Sequence, residues 1–157
     1  MTVAIYPGSF DPITLGHLDV LETGCKIFDK VIIAVSYNCN KKGFIEPQKR
    51  KELIKKCVAH IPNVEVDLFE GLTIEYARKH SATVLLRGLR AVSDFEYEKQ
   101  LSQTNNSLAP EIKTVFLITK PEYSFISSST VKEVLINSGD ISAFVPQPVK
   151  EYLTKLS

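Results

Sequence analysis

Val31-Ile32-Ile33-Ala34-Val35 is an unbroken apolar run in which polar residues never alternate with apolar ones. A strand with one wet face alternates; a strand that does not is buried on both faces, the situation of a parallel sheet covered by helices on either side. Similar short, β-branched runs recur at Val3 to Tyr6, Val64 to Phe69, Val84 to Leu86 and Thr114 to Thr119. Around them, apolar residues at helical spacing run from about Thr14 to Phe28, Pro47 to His60, Thr73 to His80 and Ser93 to Leu108, with two further segments near Ser128 to Asn137 and Pro148 to Leu156. Alternation of this kind predicts an α/β architecture, a doubly wound sheet of five parallel strands with helices on both faces. Ser93 with Glu96 and Thr130 with Glu133 fit capping-box spacing and are expected to open helices.

The 157 residues, 44% of them hydrophobic, suffice for one substantial core, and no repeat or flexible linker divides them, so residues 1–157 are expected to form a single domain. A net charge of +1 gives no surface for coating a polyanion. Any anion site must be built locally, and the substrate is expected to be small rather than a nucleic acid. Met1 to Ile5 leads straight into a strand with no basic region or long apolar stretch, which predicts a cytoplasmic protein with no membrane attachment. Cys25, Cys39 and Cys57 are odd in number and lack zinc or redox spacing, so free thiols are expected and no metal ligands are assigned.

In an open parallel sheet, ligands bind at the carboxyl ends of the strands, so the loops that follow the strands carry the chemistry. The first loop, Tyr6 to His17, passes through Gly8 and Ser9 and opens a helix; with Thr14 as its cap, His17 falls in the first turn. Free N–H groups there favour phosphate, and a neutral His17 can donate a hydrogen bond to a phosphate oxygen. The run is neither a Walker loop nor a dinucleotide fingerprint. The second strand leads to Asn38-Cys39-Asn40-Lys41, the fourth to Arg87-Gly88-Leu89-Arg90, and the fifth to Tyr123-Ser124-Phe125-Ile126-Ser127-Ser128-Ser129. Together they offer a lysine, two arginines and a hydroxyl-rich helix start, with no activated nucleophile. Direct in-line displacement on phosphorus needs none, because an acceptor phosphate is already ionised and positioning with charge neutralisation can do most of the work.

These loops resemble those of the bacterial phosphopantetheine adenylyltransferases, a family of the H-x-G-H nucleotidyltransferase superfamily. The resemblance is nearly full length and is carried by Tyr6 to His17, by Arg87 to Glu98 and by Ser124 to Ser129. It implies a Rossmann-like fold, transfer of AMP from ATP to 4′-phosphopantetheine, magnesium as cofactor and a homohexamer. Carried over by position, Ser9, Phe10, His17, Gly88, Leu89, Arg90, Glu98 and the loop Tyr123, Ser124, Phe125, Ile126, Ser127, Ser128, Ser129 would hold ATP. Ser9, Lys41, Thr73 and Arg87 would hold the acceptor. His17, Lys41 and Arg90 would be catalytic, His17 stabilising the transition state. Thr14 stands at the first histidine of H-x-G-H, as in this family, and Cys39 stands where the family often has a proline.

Other acceptors, such as nicotinamide mononucleotide or glycerol phosphate, fit the same phosphate loops. A nucleotide sensor on this fold would keep the serine cluster and dispense with His17 and Lys41. An RNA-binding module would normally show a basic patch with interleaved aromatics.

Overall fold

The computed structural model describes residues 1–156. Five strands, β1 (Val3–Gly8), β2 (Lys30–Ser36), β3 (Val64–Phe69), β4 (Val84–Leu89) and β5 (Lys113–Ile118), form one sheet in the order β3-β2-β1-β4-β5, and each pairing is parallel. The helices are α1 (Leu15–Ile27), α2 (Pro47–Cys57), α3 (Thr73–Lys79), α4 (Val92–Leu108), α5 (Ser128–Ile136) and α6 (Gln147–Leu156). Both the class and the strand count agree with the alternation in the sequence.

The unbroken run in β2 has its expected explanation. Val31, Ile33 and Val35 join Ala4, Tyr6 and Leu86 in one core with residues of α1, α2, α5 and α6. Ile32 and Ala34 join Val3, Ile5 and Leu85 on the opposite face with Ile74 and Ala77 of α3 and with Ala109 and Ile112 beyond α4. Successive side chains point to opposite faces, so two-sided burial requires every position to be apolar.

Strand order reverses between β1 and β4, which makes that seam the topological switch point. The β1–β2 ladder registers six residue pairs from Val3↔Lys30 to Gly8↔Val35, whereas β1 and β4 register only Ala4↔Val84 and Ile5↔Leu85. Beyond Ile5 the two strands part. A crevice opens at their carboxyl ends.

Two helix caps differ from the sequence reading. Helix α4 begins at Val92, where the Asp94 carboxylate accepts from the main-chain N–H groups of Arg90 and Ala91; Ser93 is already inside the first turn. Helix α5 is capped by Ser127, whose hydroxyl accepts from the Thr130 N–H, so Thr130 is the third helical residue rather than the cap. In each case a second side chain able to cap stood within one turn of the one that does so.

Helix α1 lies against the seam because two glycines let it. A Cβ on Gly24 would stand 2.5 Å from Leu86 Cδ2, and one on Gly88 of β4 would stand 2.8 Å from Val20 Cγ2. Gly24→Val is therefore expected to overpack the interface with β4 and to lower unfolding stability by about 1–3 kcal/mol, read from the denaturant midpoint.

Candidate active site

The crevice is a cleft of about 390 Å³ lined from both sides of the seam. One side is Tyr6 to Phe10, Thr14, Gly16, His17 and Val20; the other is Arg87, Gly88, Arg90, Asp94, Tyr97 and Glu98, with Thr119 and Ile126 to Ser128 closing the end.

Thr14 caps α1 as expected: its hydroxyl accepts from the His17 N–H at 3.3 Å, and its own main-chain N–H donates to His17 Nδ1 at 3.0 Å. A main-chain amide can only donate, so Nδ1 must be the unprotonated ring nitrogen. The proton of the neutral ring then sits on Nε2. Burial holds His17 well below the ordinary histidine range, and the charges of Arg90 and Arg87 push in the same direction, to about 4. The Phe10 ring sits edge-on to His17 at 5.0 Å and to Tyr6 at 5.2 Å, fixing the imidazole plane from beneath.

The two arginines are held differently. Arg87 presents its fork to the buried Glu98, Nη2 to Oε1 at 2.5 Å and Nε to Oε2 at 2.8 Å, while Nη1 donates to the Pro7 carbonyl at 3.1 Å. Burial opposes its charge, but the Glu98 hydrogen bonds and charge outweigh that and raise its pKa. Arg87 thus bridges β4 to β1 where their ladder has stopped. Arg90 donates Nη1 to the Ile126 carbonyl at 2.9 Å and lies 3.6 Å from Asp94, leaving much of its guanidinium open to the cleft.

The serine-rich loop is partly consumed by structure. Ser127 caps α5, Ser128 donates to the Pro12 carbonyl at 2.8 Å, and Ser124 donates to the Pro121 carbonyl at 2.8 Å. What this loop offers the cleft is the N-terminus of the nine-residue α5 at Ser127 and Ser128, where main-chain N–H groups are unpaired within the helix. Its other end is secured by the buried Asp19 of α1, whose carboxylate accepts from the Lys120 N–H at 2.9 Å.

Of the residues singled out from sequence, Ser9, Phe10, His17, Arg87, Gly88, Arg90, Glu98, Ile126, Ser127 and Ser128 line the cleft. Lys41, Thr73, Leu89, Tyr123, Ser124, Phe125 and Ser129 do not; Lys41 stands on an exposed turn after β2, and Thr73 opens α3 after β3. Sequence reasoning missed Tyr97 and Asp94 as cleft residues, and also the buried pair Asp11 and Arg50 beneath the first loop. Asp94 had a signal, since it lies four residues after Arg90. Arg50 had none, sitting in a lysine-rich helix that reads as solvated. All three cysteines are free, and burial pushes Cys25 and Cys57 up to about 11, so neither is an activated thiolate. Among the described residues no three His, Cys, Asp or Glu side chains converge on a metal site, and no helix is long and apolar enough to cross a membrane.

A parallel sheet with a cleft at its switch point, lined by basic side chains and a helix N-terminus, defines a class, and residues 5–134 match the cytidylyltransferase-like family. A phosphopantetheine adenylyltransferase of Cyanothece sp. is 56% identical over 98% of this chain and 90% of its own, and one of Clostridium perfringens is 54% identical over 98% and 93%. A solved structure from Vibrio parahaemolyticus, provisionally assigned as a nicotinate-nucleotide adenylyltransferase, shares the fold with a TM-score of 0.73 over 99% of this chain and 93% of that one, at 19% identity. The chain belongs to the cytidylyltransferase-like family and, within it, to the phosphopantetheine adenylyltransferases.

The Thr14 contact predicts that His17 is the neutral Nε2–H tautomer near pH 6 and takes up a proton only towards pH 4, which nitrogen-15 NMR of the imidazole can read. Because its folded pKa lies below the unfolded 6.5, the unfolded chain binds the extra proton between these values. His17 should therefore cost no stability above about pH 6.5 and an increasing amount as pH falls towards 4, where the effect levels off.

Proposed function

We propose that the chain transfers AMP from ATP to 4′-phosphopantetheine, giving dephospho-coenzyme A and pyrophosphate. The acceptor phosphate oxygen attacks the α-phosphorus in line; one P–O bond forms as the bond to the β-phosphate oxygen breaks, and pyrophosphate leaves. The observation that carries this reading is the Thr14 amide on His17 Nδ1, which leaves a neutral N–H donor on a side chain that lines the cleft. A neutral donor can follow charge as it moves between the α-phosphate oxygens and the leaving group, which is where stabilisation accelerates the step.

In this reading Arg90 and the start of α5 hold the triphosphate. Phe10 serves through its backbone and by backing His17. Glu98 acts by holding Arg87, which faces the acceptor phosphate from β4. Lys41 and Thr73 lie outside the cleft as it stands, and their assignment requires the acceptor to extend along the carboxyl edge of β2 and β3. Magnesium belongs to the proposal as a companion of ATP. The described side chains do not form a cage for it, and a magnesium ion in such sites is held largely by substrate phosphates and water. The homohexamer and the cytoplasmic location are likewise proposals; the apolar side chains exposed at Val92, Phe95 and Tyr97 on α4 and at Ile118 on β5 are surface that subunit contact would cover.

Two outcomes are expected. In a panel of phosphorylated acceptors with ATP and magnesium, pyrophosphate release should be far faster with 4′-phosphopantetheine than with nicotinamide mononucleotide or glycerol phosphate; a reversed preference would overturn the acceptor. His17→Ala, shown by circular dichroism to be folded, should lose about 10²–10³ in kcat while its ATP affinity changes by less than about tenfold. Loss of affinity in proportion to rate would reduce His17 to a ground-state contact.

A further inference from the structure

Beneath the first loop lies a buried charged pair with no part in the reaction outlined above. Arg50 of α2 is 5% exposed and Asp11 is 8% exposed, with Arg50 Nε 4.0 Å from Asp11 Oδ1. Burial of two charges is retained at a cost unless each is hydrogen-bonded, and here each is. Arg50 donates Nη1 to the Ser9 carbonyl at 2.7 Å and to the Ser36 carbonyl at 3.3 Å, and Nε to the Ile45 carbonyl at 2.9 Å. Asp11 accepts from the Phe44 and Ile45 N–H groups at 2.7 Å each.

The partners define what the pair does. Ser36 is the last residue of β2 and Phe44 and Ile45 precede α2, so the pair grips both ends of the intervening segment, which carries Lys41. The same guanidinium holds Ser9, which lines the cleft. Gly43 completes the grip: a Cβ there would stand 3.0 Å from Asp11 Oδ2 and 3.2 Å from Arg50 Nη2. By contrast His17, Arg90 and Ser127 are hydrogen-bonded to Thr14, Ile126 and Thr130 rather than to Asp11 or Arg50.

The geometry points to Asp11 and Arg50 as a positioning pair that sets the acceptor side of the cleft, by holding the Lys41 segment in register at both ends, with Ser9 gripped by the same guanidinium where the acceptor and ATP sides meet. Its acceptor-side reading rests on the function proposed above. Lysine is a point charge without the planar fork, so Arg50→Lys keeps the charge and loses the simultaneous grip on three carbonyls. Gly43→Ala presses on the same grip from the loop side without removing either charge.

Each variant is to be checked by thermal unfolding and then measured twice. Steady-state kinetics should show the acceptor KM raised by roughly tenfold to a hundredfold, and the ATP KM, which the pair reaches only through Ser9, raised several-fold less. Hydrogen–deuterium exchange of the unliganded protein should be about tenfold faster over residues 37–45, with α1 and the loop before α5 unchanged. A general loss of stability would move both KM values and exchange throughout the sheet. Equal changes in both KM values, or unchanged exchange over 37–45 in either folded variant, would overturn the assignment. If Arg50→Lys does not fold, Gly43→Ala alone decides. If the wild-type enzyme prefers another acceptor in the panel, that acceptor's KM is read instead; the acceptor identity falls, and the exchange comparison still decides the pair's role.

Discussion

A parallel sheet needs cover on both faces, and the rest of this molecule follows from meeting that need. Strands β1 and β2 send Ala4, Tyr6, Val31, Ile33 and Val35 into one core and Val3, Ile5, Ile32 and Ala34 into the other. Helices on either face return the chain to the same edge of the sheet after each crossover, so every strand-to-helix loop arrives at the carboxyl end. The cleft is assembled there because the connections leave nowhere else for the loops to gather.

Helix α1 links that architecture to chemistry. Its N-terminus has orphan amides that any helix must satisfy, and Thr14 and His17 do so reciprocally. The exchange of hydrogen bonds that starts the helix is the same exchange that chooses the imidazole tautomer. The helix cap and the protonation of the imidazole therefore draw on one pair of contacts, and Asp19, further along the same helix, anchors the loop that leads to α5 on the far side of the cleft.

Much of the fold was legible because burial on two faces writes itself as an unbroken apolar run, as in Val31 to Val35. The first loop was legible for a similar reason: a cap, a histidine at the third helical position and a glycine turn are local features. What escaped the sequence reading depends on contacts distant along the chain. Arg50 meets Ser9 across 41 residues, and Ser128 meets Pro12 across 116, so neither spacing nor composition marks them. Gly88 is instructive in another way. It reads as a place for a ligand to approach, and it does line the cleft, yet its missing side chain also makes room for Val20. The caps of α4 and α5 differ from the sequence reading because sequence shows which side chains are able to cap but not which one the fold brings to the helix start.

The short register between β1 and β4 gives the sheet the mechanics of a half-opened book. One leaf is β3-β2-β1 and the other β4-β5, and the spine is the pair of positions Ala4↔Val84 and Ile5↔Leu85. Helix α1 lies along that spine, with Gly24 against Leu86 and Val20 against Gly88, and Arg87 ties the pages once more at Pro7. The aperture between Ser9 on one leaf and Arg90 on the other is thus governed by how far the two strands are allowed to pair. The width of the site is set in the backbone ladder before any side chain lines its walls.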